Sequence, residues 1–472
     1  MAKSRDTRPN ILLVTPDQMR FDAMGCAGNP VIKTPNLDRL AGGGILFSSA
    51  FAQNAVCQPS RASIITGQYP HAHGVRDNCF KLPTHIETLP GLLARAGYRT
   101  VSVGKMHFEP FDAMYGFESR RIAEDKSGGY ADDYRRYLAD KGLRELSPDV
   151  MWREKTKDAL VGMTSPLSEE DYIDSWCGRE AVEQIRKKDD RPFFIWVGFP
   201  SPHVPTDPPK PWADMYPEEE IQEPPVHPEE WETKPPEMKQ GVYVGDKGIR
   251  RFIAHYYAMV SLIDRWMGEI VDALKETGRY ENTLIIFTTD HGDYAGWHGK
   301  IAKGVCLYED LIHVPFIVHW AGRLGAGKRL ESLAELVDIL PTVLDYAGVE
   351  IPWGVQGLSL RPILEGEAES VRDFAFAEYF YQKAVRTPDW KLIYYAGKPY
   401  GELFDLREDP HEHVNRYDDP SVREIREDLT RKVLDFLVAT ESPLPRPGPY
   451  WFAHVRRNDA YKPLREPHRG SM

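Results

Sequence analysis

The chain has 472 residues, of which 42% are hydrophobic and 28% charged, the balance of a globular protein with room for one or two large domains. Its 59 Lys and Arg face 71 Asp and Glu, and the net charge of −12 argues against nucleic acid as a partner, because phosphate binding needs clustered cations. The five cysteines form no CxxC pair, no apolar run of about 18 residues occurs, and the N-terminus has no leader-like segment, so a cytoplasmic protein with reduced thiols and no membrane contact is expected.

The first strand-like run is NILLVTPD at 10–17. Helical patterns follow in TPNLDRLAGGG at 34–44 and TLPGLLARAG at 88–97, then a strand in TVSVGK at 100–105. A helix is expected over 174–188, DSWCGREAVEQIRKK, and a strand over 192–199, PFFIWVGF. Residues 216–240 are rich in Pro and Glu and read as a surface loop without regular structure. A long helix covers 249–278, and strands are expected at 283–290, TLIIFTTD, and 314–320, VPFIVHW. The strands are near-continuous in apolar residues, as parallel strands with both faces covered are. Strand–helix alternation predicts an α/β fold, a large mixed and mostly parallel sheet sandwiched by helices. From 373 the texture shifts to short strands with turn signals and one helix over 421–441. This predicts a catalytic domain over 1–372, a smaller C-terminal α+β unit with an antiparallel sheet over 373–442, and an irregular tail over 443–472.

Polar residues stand just past three of the strands: Asp17 and Gln18, Lys105 and His107, Asp290 and His291. Ligands of open α/β sheets bind beyond the carboxyl ends of the strands, so these residues are expected to converge. Between them lies CQPSRASIITG at 57–67. On its own Cys57 is a nucleophile, a metal ligand or a buried thiol, with Arg61 available as a nearby cation.

The stretch has the form C-x-P-S-R-A-S-x-x-T-G and resembles the signature of the sulfatase family. GYRTVSVGKMH at 97–107 resembles that family's second signature. The resemblance continues in PHVP at 202–205, TDHGD at 289–293, HGKIAKGVCLYEDLIHVPFI at 298–317 and AVRTPDWKLI with ELFDLREDP near the C-terminus. It implies an alkaline-phosphatase-like fold and conversion of Cys57 to formylglycine by a formylglycine-generating enzyme. The hydrated aldehyde then attacks the sulfur of a sulfate monoester, and a covalent sulfo-enzyme intermediate collapses to release sulfate. The resemblance assigns Asp17, Gln18, Asp290, His291 and residue 57 to one divalent metal ion. Calcium is the family's common choice; manganese or magnesium are alternatives, because Gln18 and His291 stand where many sulfatases have Asp and Asn. Arg61, Lys105 and Lys303 would hold the anion, Lys303 being favoured over nearby Lys300 by its context. Local cations of this kind let an acidic protein bind an anionic substrate. His107 is expected to share a face with Lys105 in extended backbone and to trigger collapse, with His203 acting at the leaving-group oxygen. Asn78, Trp297 and His298 are candidates for substrate contact, and His71 and His73 are weaker ones.

The expected substrate is a small aryl or alkyl sulfate. The alternative is a phosphonate monoester hydrolase or phosphodiesterase using the same nucleophile, a branch that tends to carry neutral hydroxyl residues where this chain has Lys105 and His107. Choline sulfatases share the Asp-Gln and Asp-His pairs. A degenerate binding module would be expected to lack Cys57, Asp290 or Lys105. The aromatic tail around Tyr450, Trp451 and Phe452 is expected to dock on a neighbouring protomer of a dimer or tetramer.

Overall fold

The computed structural model describes residues 8–441 except 127, 155 and 229. Its main sheet has eight strands: β1 (Asn10–Asp17), β2 (Ile45–Phe47), β3 (Arg99–Gly104), β4 (Ser119–Ile122), β5 (Phe193–Pro202), β6 (Thr283–Thr288), β7 (Phe316–His319) and β8 (Lys328–Leu330). Their order is β8-β2-β7-β6-β1-β5-β3-β4, and every neighbouring pair is parallel except the two made by β7.

The central strand shows why the sheet is buried on both faces. Side chains alternate across a strand. Ile11 and Leu13 enter one core with Ile64, Ile65, Leu340 and Val343, whereas Leu12 and Val14 enter another with Ile263, Met267 and Ile270. Helices α1 (Cys57–Thr66) and α4 (Ile339–Ala347) cover the first face; α2 (Ile173–Arg186) and α3 (Gly245–Glu276) cover the second. The mostly parallel α/β sandwich expected from strand–helix alternation is therefore present. Strands β2, β4 and β8 are three or four residues long, too short for their period to be read.

Two expectations need correction. The 314–320 run forms β7, but antiparallel, with Ile317 opposite Phe287 of β6 and Leu46 of β2. The chain leaves β6 at its carboxyl end and stays there through Glu309–Ile312, with no long crossover helix to carry it back, so it re-enters the sheet in the reverse direction. The 216–240 segment is not simply a surface loop. It holds turns of helix at Glu218–Glu220, Glu230–Thr233 and Pro236–Lys239, and it buries Glu230, Lys234 and Met238.

Near the C-terminus, β9 (Ala375–Tyr379), β10 (Gln382–Arg386), β11 (Trp390–Tyr395) and β12 (Gly401–Asp405) form an antiparallel meander. One face packs Phe376, Val385, Leu392 and Leu403 against Val433 and Phe436 of helix α5 (Arg423–Ala439). The other packs Ala377, Ala384, Ile393 and Phe404 against Phe51, Leu307 and Tyr308. The tail over 443–472, and the docking expected of it, lie outside the described residues.

Strands β6, β1, β5 and β3 are adjacent and parallel, so their carboxyl ends share one edge. At that edge the β1–β5 register shifts between Pro16 and Asp17. Gly104 ends β3 with φ +83°, and a Cβ there would lie 2.0 Å from the Gly198 carbonyl oxygen. The glycine lets β3 turn away while staying close to β5. Gly104→Ala should therefore cost roughly 2–4 kcal/mol from left-handed strain and overpacking. Denaturant unfolding checks this, and an unchanged midpoint would show that the turn tolerates a side chain.

Candidate active site

Cys57 is the first residue of α1, whose ten residues are all buried. Val56 before it is extended, and Gly67 in the left-handed region ends the helix. The helix start directs free backbone N–H groups and the positive end of the dipole at residue 57, a setting that favours an anion. Asn78 accepts from the Gln58 N–H at 3.2 Å, which places it beside this helix start.

Around the Cys57 sulfur stand Lys303 Nζ at 2.8 Å, His291 Nε2 at 3.1 Å, Asp17 Oδ1 at 3.5 Å and Lys105 Nζ at 4.0 Å. The His107 side chain also faces the sulfur and helps to lower the thiol's pKa. His107 arrives by a different route from the one expected. Its φ is +55°, so the backbone after Lys105 is not extended. Glu124 holds this turn by accepting from the His107 N–H at 3.0 Å. His203 donates from Nδ1 to the Val204 carbonyl at 2.6 Å, which leaves Nε2 to accept from Lys303 at 2.9 Å.

Ligand atoms of Asp17, Cys57, Asp290 and His291 lie within 4.8 Å of one another. His291 Nδ1 donates to the Gly292 carbonyl at 2.8 Å, so Nε2 is the nitrogen that faces the cluster. Gln18 has φ +66°; its Nε2 donates to Asp293 at 2.5 Å and its Oε1 faces Lys303 Nζ at 3.2 Å. Asp17 Oδ2 forms a buried ion pair with Lys105 Nζ. Two buried carboxylates, an amide oxygen and an imidazole nitrogen form a donor set that suits a hard or borderline divalent cation.

The electrostatics follow from the packing. Burial pushes the Cys57 thiol up, but Lys105, Lys303 and His291 outweigh it and hold it well below its ordinary value. Burial also works against charge on Lys105, yet Asp125 and Asp17 hold its ammonium well above the usual range. Burial would raise Asp290, but Arg61 and His291 keep it low. The thiolate occupies the place that hydroxyls of a converted residue 57 would take.

Lys303 thus stands at the cluster and Lys300 does not. Lys300 Nζ bonds the Met238 carbonyl among the rings of Trp231, Tyr243 and Tyr294, and burial pulls its pKa down to about 8. Trp297 and His298 also lie elsewhere. Trp297 stacks on His411 with ring centroids 3.5 Å apart. His298 is clamped between Glu230 at 2.8 Å and Asp310 at 3.2 Å, and Glu230 also accepts from His413 at 3.2 Å. Lys234 lies 3.5 Å from Glu230 and supplies the positive charge there, so this second cluster reads as a structural joint. His71 bonds Glu378 and Thr440, and His73 bonds Ser63.

Two site residues escaped the sequence reading. Asp293 orients Gln18, and Asp125 lies 3.0 Å from Lys105 Nζ. Asp125 follows the carboxyl end of β4, so the strand-end rule that singled out Asp17 would have reached it had so short a strand been legible.

Residues 9–349 match the sulfatase family, and residues 296–438 match the family described as N-sulphoglucosamine sulphohydrolase, C-terminal. The chain is 32% identical over 456 residues to an arylsulfatase of Clostridium perfringens, covering 90% of this chain and 94% of that one. It is 30% identical over 439 residues to a choline-sulfatase of Rhizobium meliloti, covering 88% and 83%. The crystal structure of a phosphonate monoester hydrolase of Agrobacterium radiobacter superposes with a TM-score of 0.79 at 26% identity, over 92% of this chain and 96% of that one. With the match spanning most of the catalytic fold and the cluster at its strand ends, the chain belongs to the sulfatase family, hydrolases of sulfate esters within the alkaline phosphatase superfamily.

Proposed function

We propose that the chain hydrolyses a small aryl or alkyl sulfate monoester with residue 57 in its formylglycine form. One observation carries this reading: a cysteine at a buried helix N-terminus shares a single ligand cluster with Asp17, Asp290 and His291 and touches the Lys303 ammonium. Conversion to the aldehyde hydrate places two hydroxyls where the sulfur stands. Asp17, Asp290, His291 and the Gln18 carbonyl would hold a divalent cation, which would supply the Lewis acidity that makes such a hydroxyl nucleophilic near neutral pH.

The chain's own groups supply the rest. Arg61 donates to Asp290 at 2.8 Å and to the Lys105 carbonyl at 2.7 Å, which fixes the ligand and the cation relative to residue 57. Lys105 and Lys303 both reach the sulfur and hold the nonbridging oxygens of the ester as charge shifts during attack. His203, with Nδ1 donating to the Val204 carbonyl and Nε2 2.9 Å from Lys303 Nζ, serves in its imidazolium form, passing the Nε2 proton to the oxygen of the departing alcohol as its bond to sulfur breaks and ending neutral. His107 takes the proton of the remaining hydroxyl when sulfate is expelled and the aldehyde returns. The alternative substrate, a phosphonate monoester or phosphodiester, is favoured by the likeness to the Agrobacterium hydrolase. The cations and His107 around residue 57 favour the sulfate.

Three outcomes test this reading. Mass spectrometry of the peptide holding residue 57 should find the aldehyde, and Cys57→Ala should lower turnover by roughly 10³-fold or more; an unmodified thiol in fully active protein would overturn the nucleophile. Chelation should abolish turnover, and Asp293→Ala, by releasing Gln18, should weaken metal binding by about 10–100-fold in calorimetry. An equal affinity in that variant would remove Gln18 from the metal site. Across an aryl sulfate, an aryl phosphonate monoester and an aryl phosphodiester, kcat/KM should be highest for the sulfate; a phosphonate preferred by orders of magnitude would establish the alternative.

A further inference from the structure

Asp125 stands apart from the other carboxylates of the site. Asp17 and Asp290 belong to the cluster of ligand atoms around residue 57, and Asp125 does not. Its Oδ2 is 3.0 Å from Lys105 Nζ and 3.9 Å from His203 Nε2, so it lies on the side where the leaving group departs. It is buried, and Lys105 is wholly enclosed between it and Asp17.

The charges in this pocket can be matched residue by residue. Of the charged side chains paired directly around residue 57, Arg61, Lys105 and Lys303 are the cations and Asp17, Asp290 and Asp125 are the anions, with Asp293 one contact further out, on Gln18. Without Asp125 the side chains would carry one net positive charge, to which a divalent cation adds two. With Asp125 these six side chains balance, and the attraction for an incoming anion would come chiefly from a bound divalent cation. In a pocket screened from water, one unit of charge at contact distance changes binding strongly. Its effect scales with the charge on the ligand, so a dianion loses about twice what a monoanion loses. A sulfate monoester is a monoanion, as are phosphonate monoesters and phosphodiesters. A phosphate monoester is a dianion above the second pKa of phosphate, near about 6.

We propose that Asp125 is a specificity-determining residue that sets the charge of the anion pocket, favouring monoanionic esters and disfavouring phosphate monoester dianions. It acts through Lys105 and through its own field and touches no reacting atom, so it is a positioning residue. The inference rests on the sulfatase reading above. A purely structural anchor for Lys105 would affect all anionic substrates alike, and this difference separates the two roles.

The test measures kcat/KM at about pH 8 for phenyl-type esters of sulfate, phosphate and a phosphodiester, in wild type, Asp125→Asn and Asp125→Glu. Asp125→Asn should raise the phosphate-to-sulfate ratio by at least about tenfold, the diester should move with the sulfate, and Asp125→Glu should restore the wild-type ratio. Calorimetry in a Cys57→Ala background should show the same shift in binding of phosphate ester over sulfate ester. Asp125→Ser, neutral and smaller, repeats the measurement if the Asn variant fails to fold. A ratio unchanged in the neutral variants, with all three substrates falling together, overturns the proposal. Wild type that fails to hydrolyse the sulfate ester would instead sink the underlying reading, and the two failures are read from different samples.

Discussion

The guanidinium of Arg61 is wholly buried, and a buried charge must find its partners inside the protein. It finds them on three strands. Nε donates to Asp290 beyond β6 at 2.8 Å, Nη1 donates to the Lys105 carbonyl beyond β3 at 2.7 Å, and Nη2 lies 3.8 Å from Asp17 at the end of β1. Arg61 is one helical turn from Cys57, so the same side chain ties the nucleophile helix to the edge of the sheet. Loss of a partner would leave an uncompensated buried charge, at a cost of about 3–5 kcal/mol. The position of residue 57 is therefore set by the same contacts that hold the strands together.

A second buried polar joint fixes the remaining cation. The strand Lys300–Ile301 pairs with Val242–Tyr243, and Lys303 follows directly after it. His298, just before that strand, is held by Glu230 from the 216–240 segment and by Asp310. Asp310 in turn pairs with Arg20 at 3.0 Å, two residues beyond Gln18. The segment that looked like a solvated acidic loop thus helps to place Lys303 beside the metal ligands. Its glutamates are not equivalent: Glu230 is buried between two histidines and a lysine, and the exposed ones are not.

Both joints show how far periodicity carries. The long helices and the central strands were legible because their apolar patterns are set by burial, and burial leaves a repeat in the chain. The antiparallel direction of β7 was not, since direction depends on the route of the connection and not on the strand's own residues. His107 was chosen for its spacing from Lys105, yet it meets the sulfur through a left-handed turn held by Glu124. Trp297 and His298 are close in sequence to Asp290 and His291, but the tight turn through Ala295 and Gly296 carries them into the second cluster.

By itself the sequence determined the α/β class, the family, and the short motifs that place Cys57, Arg61, Lys105, Asp290 and Lys303. Each motif is a local pattern, and the chemistry of one cluster needs several of them. Tertiary structure alone decided which charges face one another. Asp293 stands far in sequence from Gln18 and Asp125 far from His203, and only the shared carboxyl edge of the sheet brings them into the same pocket. Contact between residues so distant is decided by the path of the chain, and the path, unlike burial, leaves no repeat in the residues themselves.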